Sequence, residues 1–402
     1  MWYFYSPSVI YGEDALDFLF RVPGEKCYIV TDKIIEELGL LKKLTNKLEE
    51  LGKKYEIFDE VVPDPHENGV NKSREKCFSY QPEIIIALGG GSVIDTAKAT
   101  WALYELPEYT LDELPLNPDL FKINTGVKAK MVVIPTTSGT GADVSLGIVI
   151  SRYEEADNVW RKMEIPHSGL IPTYTIVDPI FPLEMPPKLT ASTGFDALAH
   201  SLENIISMWR NDICDALTLK SVELIFKYLP IACKDGKNIE ARDKMHLAAT
   251  IAGLAFSNSM AHIGHSLGHS WGAVFHTPHG ICVGTFLPYV LEYCLNNPDE
   301  GDKTTEILGK FAKQMGWAKW DMETKKAAYV VIDKVNELQK EIGFPHALKE
   351  TQVTRADLEN NLDKLVSLCF QSPVCTAGPR SPNTEEWKKL FIYAYDGKNV
   401  DF

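Results

Sequence analysis

Five of the chain's ten histidines fall in one short stretch: His262, His265, His269, His276 and His279. Imidazole binds metals and carries protons near neutral pH, so such a cluster points to coordination, proton transfer or both. Were Met260 to His276 one helix, a 100° step would place His262, His265, His269 and His276 within roughly a 60° face. That spacing says the cluster addresses one place, not which members hold a ligand. His279 follows Pro278 and is expected to join from a turn. Upstream, Asp196 and His200 stand one helical turn apart, which puts a carboxylate and an imidazole on the same face. By itself an Asp-x-x-x-His pair reads as ordinary helix. Beside the later cluster it reads as half of a site for Fe²⁺, Zn²⁺, Co²⁺ or Mn²⁺.

A second kind of chemistry is written in two loops. Leu88-Gly89-Gly90-Gly91-Ser92 follows an apolar run and opens a helical pattern, so glycine N–H groups and the positive end of a helix dipole would meet one spot, as a phosphate requires. Ser92 and Asp95 fit a capping box that would start the helix. The order is not GxGxxG, and a tight turn with a cap is the bland alternative. Pro135-Thr136-Thr137-Ser138-Gly139-Thr140-Gly141 also follows an apolar run and offers hydroxyls and pliant backbone. Two such loops beside one sheet favour a nucleotide crevice. Asp32 closes a further candidate strand, where a carboxylate would accept from an adenosine ribose and repel a 2′-phosphate, favouring NAD over NADP. A simple turn is the alternative for Asp32.

The elements that must position these residues change character along the chain. Strands are expected at Cys27–Thr31, Tyr55–Phe58, Ile84–Leu88 and Met131–Pro135, with a helix from Ile34 to Gly52. The runs at Ile84 and Met131 are continuously apolar, the mark of strands buried on both faces of a parallel sheet. Strand–helix alternation predicts a doubly wound α/β domain with ligands beyond the carboxyl ends of its strands. After the proline-rich stretch Phe181–Pro187 helical periodicity takes over, as at Ser192–Trp209, Cys214–Tyr228, Asp243–Asn258 and Lys325–Ile342. The expected division is 1–182, α/β, and 183–402, all-helical. A chain of 402 residues exceeds the ~250–300 residues at which one core stops growing. A net charge of −14 speaks against nucleic-acid and anionic-membrane partners. Eight scattered cysteines without CxxC pairs predict reduced thiols. The N-terminus shows no secretory pattern and no apolar stretch is long enough to span a bilayer, so a cytoplasmic protein is expected.

Taken together, Gly89-Gly90-Gly91-Ser92-x-x-Asp95-x-x-Lys98, Thr136-Thr137-Ser138-Gly139-Thr140-Gly141, Gly194-Phe195-Asp196-Ala197-Leu198-x-His200 and His265-x-x-x-His269 with Pro278-His279-Gly280 resemble the iron-containing (group III) alcohol dehydrogenases. The motifs run in order over nearly the whole chain. The resemblance implies a Rossmann-like dinucleotide-binding domain joined to a helical domain, the architecture shared with dehydroquinate synthase. It implies a metal held by Asp196, His200, His265 and His279, with His269 a pocket histidine near the substrate. It places the cofactor at Asp32, Gly90, Gly91, Ser92, Thr136, Thr137 and Thr140, with Asp95 and Lys98 on the helix beneath the pyrophosphate. Lys162 is similar to a family lysine that reaches the nucleotide ribose. Two departures stand out. The family's Gly-Ser-Glu is Gly141-Ala142-Asp143 here, and His262 takes the place of a small or apolar residue, either reshaping the pocket or satisfying a core hydrogen bond.

What the resemblance implies is hydride transfer between a primary alcohol, or its aldehyde, and NAD or NADP. The expected metal is Fe²⁺, with Zn²⁺ compatible with the same ligands, and the expected assembly is a homodimer. His269 is the candidate proton relay to solvent, with a pocket wall as its alternative. A metal- and NAD-dependent lyase of the dehydroquinate synthase type, or a glycerol dehydrogenase-like enzyme, is the rival within the architecture. A sensor that kept both sites without chemistry is the non-enzymatic rival.

Overall fold

The computed structural model describes residues 3–114, 126–154, 159–299, 301 and 303–402. The chain divides into two compact units, Met1–Met185 with Lys237–Ser257, and Pro186–Gly236 with Asn258–Phe402.

The first unit is organised by six parallel strands: β1 (Ser8–Tyr11), β2 (Lys26–Val30), β3 (Lys54–Phe58), β4 (Ile84–Gly89), β5 (Lys130–Pro135) and β8 (Tyr174–Val177). Their order is β1-β8-β5-β4-β2-β3, and every pairing is parallel. The continuous apolar runs have the expected cause. Cys27, Ile29, Ile84, Ile86, Val132 and Ile134 enter one core cluster, while Tyr28, Val30, Ile85, Ala87, Met131 and Val133 enter another on the opposite face. Alternate side chains leave a strand on opposite sides, so both faces must be apolar when both are covered. Each such burial contributes about 1.5–3 kcal/mol. Helices α1 (Lys33–Glu37), α2 (Leu40–Glu50), α3 (Glu67–Tyr80) and α4 (Gly91–Glu105) alternate with the strands. The single helix expected over Ile34–Gly52 is two, parted at Gly39, whose φ is 73°. Strands β6 (Gly147–Glu154) and β7 (Val159–Pro166) form a separate antiparallel hairpin.

The second unit contains α5 (Pro187–Asn204), α6 (Asp212–Lys234), α8 (Ile263–Phe275), α9 (His279–Leu295), α10 (Thr304–Gln314), α11 (Thr324–Ile342), α12 (Arg355–Gln371) and α13 (Thr384–Asp396). The intervening α7 (Ile239–Ser257) belongs with the first unit. A linear cut at residue 182 assigns it to the helical half instead. Its place has a packing reason: Gly141, at φ 61°, and Gly253 on α7 approach so closely that a Cβ on Gly141 would lie 2.5 Å from the Gly253 Cα. Among the described residues no helix is long and apolar enough to cross a membrane, and no disulfide is formed.

Candidate functional site

The histidine cluster does not occupy one helix. His262 is the N-cap of α8, outside its helical residues, and His276 is the C-cap, at φ 55°. The common face drawn through four of the histidines is thereby broken, and only His265 and His269 remain on the helix. His279, expected from a turn, is the first residue of α9, with Pro278 as its N-cap. Proline there fixes the entry and leaves the first turn free to aim a side chain. A Cβ on Gly280 would come within 2.2 Å of the Ser192 carbonyl oxygen. The start of α9 therefore lies directly against α5, which carries Asp196 and His200.

Asp196, His265 and His279 each offer one ligand atom, and the three atoms lie within 4.8 Å of one another. The focus is Asp196 Oδ1, at 3.3 Å from His279 Nε2 and 3.9 Å from His265 Nε2. His200 is not one of the three, but its Nδ1 lies 3.9 Å from the same oxygen and its ring stacks on that of His265 with centroids 4.3 Å apart. Asp196 Oδ1 is buried and accepts no hydrogen bond, an arrangement that costs free energy unless something cationic belongs there. Burial pushes the Asp196 carboxyl up, but His200, His279 and His265 outweigh it and hold the group below the ordinary carboxylate range. Burial drives His200 down to about 3 and lowers His279 as well. A carboxylate held ionised with imidazole nitrogens around it forms a donor set that fits a divalent cation. His269 is partly exposed, stacked on His279 with centroids 4.9 Å apart and edge-on to His265 at 6.0 Å.

One residue of this neighbourhood, Glu203, was not singled out by spacing; another, His262, was. Glu203 is fully buried and stands 2.9 Å from His265 Nδ1. It repeats the helical interval from Asp196 and His200, and that signal could have found it. Burial raises its carboxyl, but His265 and His262 bring it down to about 2. His262 is fully buried too, and neither ring nitrogen has a hydrogen-bond partner. It satisfies no core hydrogen bond through its ring.

In the first unit the two loops meet. A Cβ on Gly90 would sit 3.3 Å from Thr137 Cγ2, and one on Gly91 would sit 3.1 Å from Thr140 Cγ2. The Thr136 N–H donates to the Gly89 carbonyl at 3.0 Å. Helix α4 begins at Gly91 with Gly90 as N-cap, so its unpaired N–H groups face the end of β4, as an anion site requires. Ser92 is inside the first turn and is not the cap. Asp32 caps α1 by accepting the Ile35 N–H at 2.9 Å, beside β4 on the neighbouring strand.

Asp95 and Lys98 turn away from these loops. The Val149 N–H donates to Asp95 Oδ2 at 3.2 Å, and Lys98 Nζ donates to the Ser145 carbonyl at 2.6 Å. Both are buried. They anchor the β6 hairpin, which corrects the expectation of a capping box at Asp95. Lys162 Nζ pairs with Asp64 at 2.9 Å. Asp143, the departure from the family pattern, accepts from Thr250 on α7 at 2.9 Å. His246, also on α7 and also missed, has its Nδ1 3.0 Å from Ser138 Oγ, so it steadies the second loop.

Both halves of the chain match known proteins. The model described as iron-containing alcohol dehydrogenase matches residues 6–179, and that described as the C-terminal part of the Fe-containing alcohol dehydrogenase family matches 190–395. An NADPH-dependent butanol dehydrogenase of Clostridium saccharobutylicum is 35% identical over 98% of this chain and 98% of its own. The bifunctional aldehyde-alcohol dehydrogenase of Escherichia coli (strain K12) is 33% identical over 96% of this chain, which spans 45% of that larger protein. The solved alcohol dehydrogenase from Oenococcus oeni superposes with a TM-score of 0.88 at 26% identity, covering 98% of this chain and 100% of its own. Matched in both halves and along nearly its full length, the chain belongs to the iron-containing alcohol dehydrogenases, oxidoreductases that act on alcohols.

Proposed function

We propose that the chain interconverts a primary alcohol and its aldehyde, using Asp196, His200, His265 and His279 to hold a divalent metal and the two first-unit loops to hold NAD. The observation that carries the reading is the convergence of Asp196, His265 and His279 from α5, α8 and α9, with ligand atoms within 4.8 Å. Asp196 supplies the negative charge that a cation needs, and burial keeps His200 neutral, so that it presents a lone pair. When bound, the cation supplies Lewis acidity that lowers the pKa of the alcohol hydroxyl. Fe²⁺ is the metal proposed, with Zn²⁺ suited to the same donors.

Gly90, Gly91 and Ser92 present backbone N–H groups to the pyrophosphate, while Thr136, Thr137 and Thr140 line the facing loop. Asp32 keeps a carboxylate oxygen for the adenosine ribose while its other oxygen caps α1, which favours NAD over NADP. A nicotinamide supplies the hydride acceptor. His269, partly exposed and stacked on His279, passes the released proton to solvent.

The test is complete metal removal with a chelator, assayed on short primary alcohols and their aldehydes with each nicotinamide. Loss of turnover, restored by Fe²⁺ or Zn²⁺, is expected. Full turnover without metal refutes the reading. Accumulating NADH absorbance with an alcohol is also expected, and a lyase that reoxidises its nicotinamide in each cycle would not give it.

A further inference from the structure

Glu203 buries a charge that the proposed ligand set does not use. Its side chain is 1% exposed, and both oxygens are spent on one short stretch of α8. Oε1 stands 2.9 Å from His265 Nδ1, and Oε2 accepts the His262 backbone N–H at 2.6 Å. An ionised carboxylate only accepts hydrogen bonds. The proton of His265 therefore sits on Nδ1, and the lone pair sits on Nε2, the nitrogen that faces Asp196 Oδ1 at 3.9 Å. The second bond ties the N-cap of α8 to α5, so ring and backbone are fixed by one group.

The neighbouring sequence makes room for this carboxylate. A Cβ on Gly264 would lie 2.3 Å from Glu203 Oε1, a separation no side chain tolerates. An alanine there would force the carboxylate to shift from its place between the backbone of α8 and the His265 ring. Burying an ion is costly unless its acceptor sites are filled. Here they are filled by the helix that carries a proposed ligand.

We infer that Glu203 is a positioning residue for the metal centre, locking His265 in the orientation and tautomer that turn Nε2 toward Asp196 and His279. The inference rests on the proposed metal site. It concerns how firmly the site is preset.

The experiment uses the full-length chain stripped of metal, with Co²⁺ as the probe. Affinity is measured by chelator competition, and melting temperature is recorded with and without Co²⁺. Glu203→Gln keeps the volume but offers one accepting oxygen to two N–H donors. It is expected to weaken Co²⁺ binding about 10- to 100-fold, the usual loss when a ligand's outer partner is removed. The rise in melting temperature produced by Co²⁺ is expected to shrink with it. A purely structural role would instead lower the metal-free and loaded melting temperatures together and leave their difference intact. Wild-type affinity and an unchanged difference in E203Q overturn the inference while leaving the metal site standing. Failure of the wild type to bind Co²⁺ overturns both. Should E203Q not fold, Gly264→Ala keeps the glutamate and displaces its carboxylate. Weakened binding there supports the inference, and undiminished binding overturns it.

Discussion

Each unit of the molecule buries a knot of charge, and the two knots differ in how they close. In the first unit Lys98 ends on the Ser145 carbonyl, Asp95 on the Val149 N–H and Asp143 on the Thr250 hydroxyl. In the second, Asp196 Oδ1 has imidazole nitrogens at 3.3 and 3.9 Å and accepts none of them as a hydrogen bond. Burial and shifted titration are common to both. What separates a scaffold from a candidate site is whether the protein's own groups complete the arrangement. Asp95, pushed up by burial toward about 7, would be mistaken for a reacting group if titration alone were the guide.

The contrast can be broken by experiment, and the largest effect belongs to the second knot. Asp196→Ala is expected to lower kcat/KM by about 10³-fold or more, since Lewis-acid activation supplies several kcal/mol. Nucleotide affinity, measured by fluorescence titration, should stay unchanged. An active D196A protein would show that the carboxylate is not central. Lys98→Met addresses the first knot. It removes the buried cation beside Asp95 and Asp143 and leaves the Ser145 carbonyl without its donor, so denaturant unfolding should report a loss of about 1–3 kcal/mol. Metal content should be untouched, and a stability equal to wild type would undo the scaffold reading.

The smallest effect is a change of slope. Burial lowers His246 to about 3, against an ordinary value near 6.5. Between those values the unfolded chain takes up a proton that the folded chain refuses. Stability is therefore lost as pH falls from about 6.5 toward 3, by up to about 1.4 kcal/mol per pH unit for one group. His246→Leu should flatten that slope in melts taken across this range. Parallel curves for variant and wild type would show that His246 does not titrate on unfolding.

The parallel sheet was legible because its physics is local: strands covered on both faces need unbroken apolar runs, as at Ile84–Leu88. The histidine cluster was legible because His265 and His279 carry distinctive chemistry close in sequence, but spacing did not pick Asp196, His265 and His279 out as the trio that converges, and only the resemblance joined them. Three features were not legible. Ser92 and Asp95 have capping-box spacing, but Asp95 finds a stronger use on the Val149 N–H. The helix at Ile34–Gly52 has continuous periodicity that hides a glycine in the left-handed region. Helix α7 shows the same amphipathic rhythm whichever unit it serves, and only its packing, the close approach of Gly253 to Gly141 with the Thr250–Asp143 and His246–Ser138 contacts, decides the matter. Glu203 lay between these cases, since its spacing was visible and its partner was not.

The membership of α7 has a consequence for synthesis. The polypeptide completes its first unit only with residues Lys237–Ser257, more than fifty positions after leaving it at Met185. On the ribosome, the first unit must therefore wait for α7 while residues 186–236 emerge. Those residues in turn cannot finish their own bundle until Asn258 and beyond have followed. Neither half is a heritable cassette that a single cut could transplant, since a fragment ending near residue 182 lacks α7.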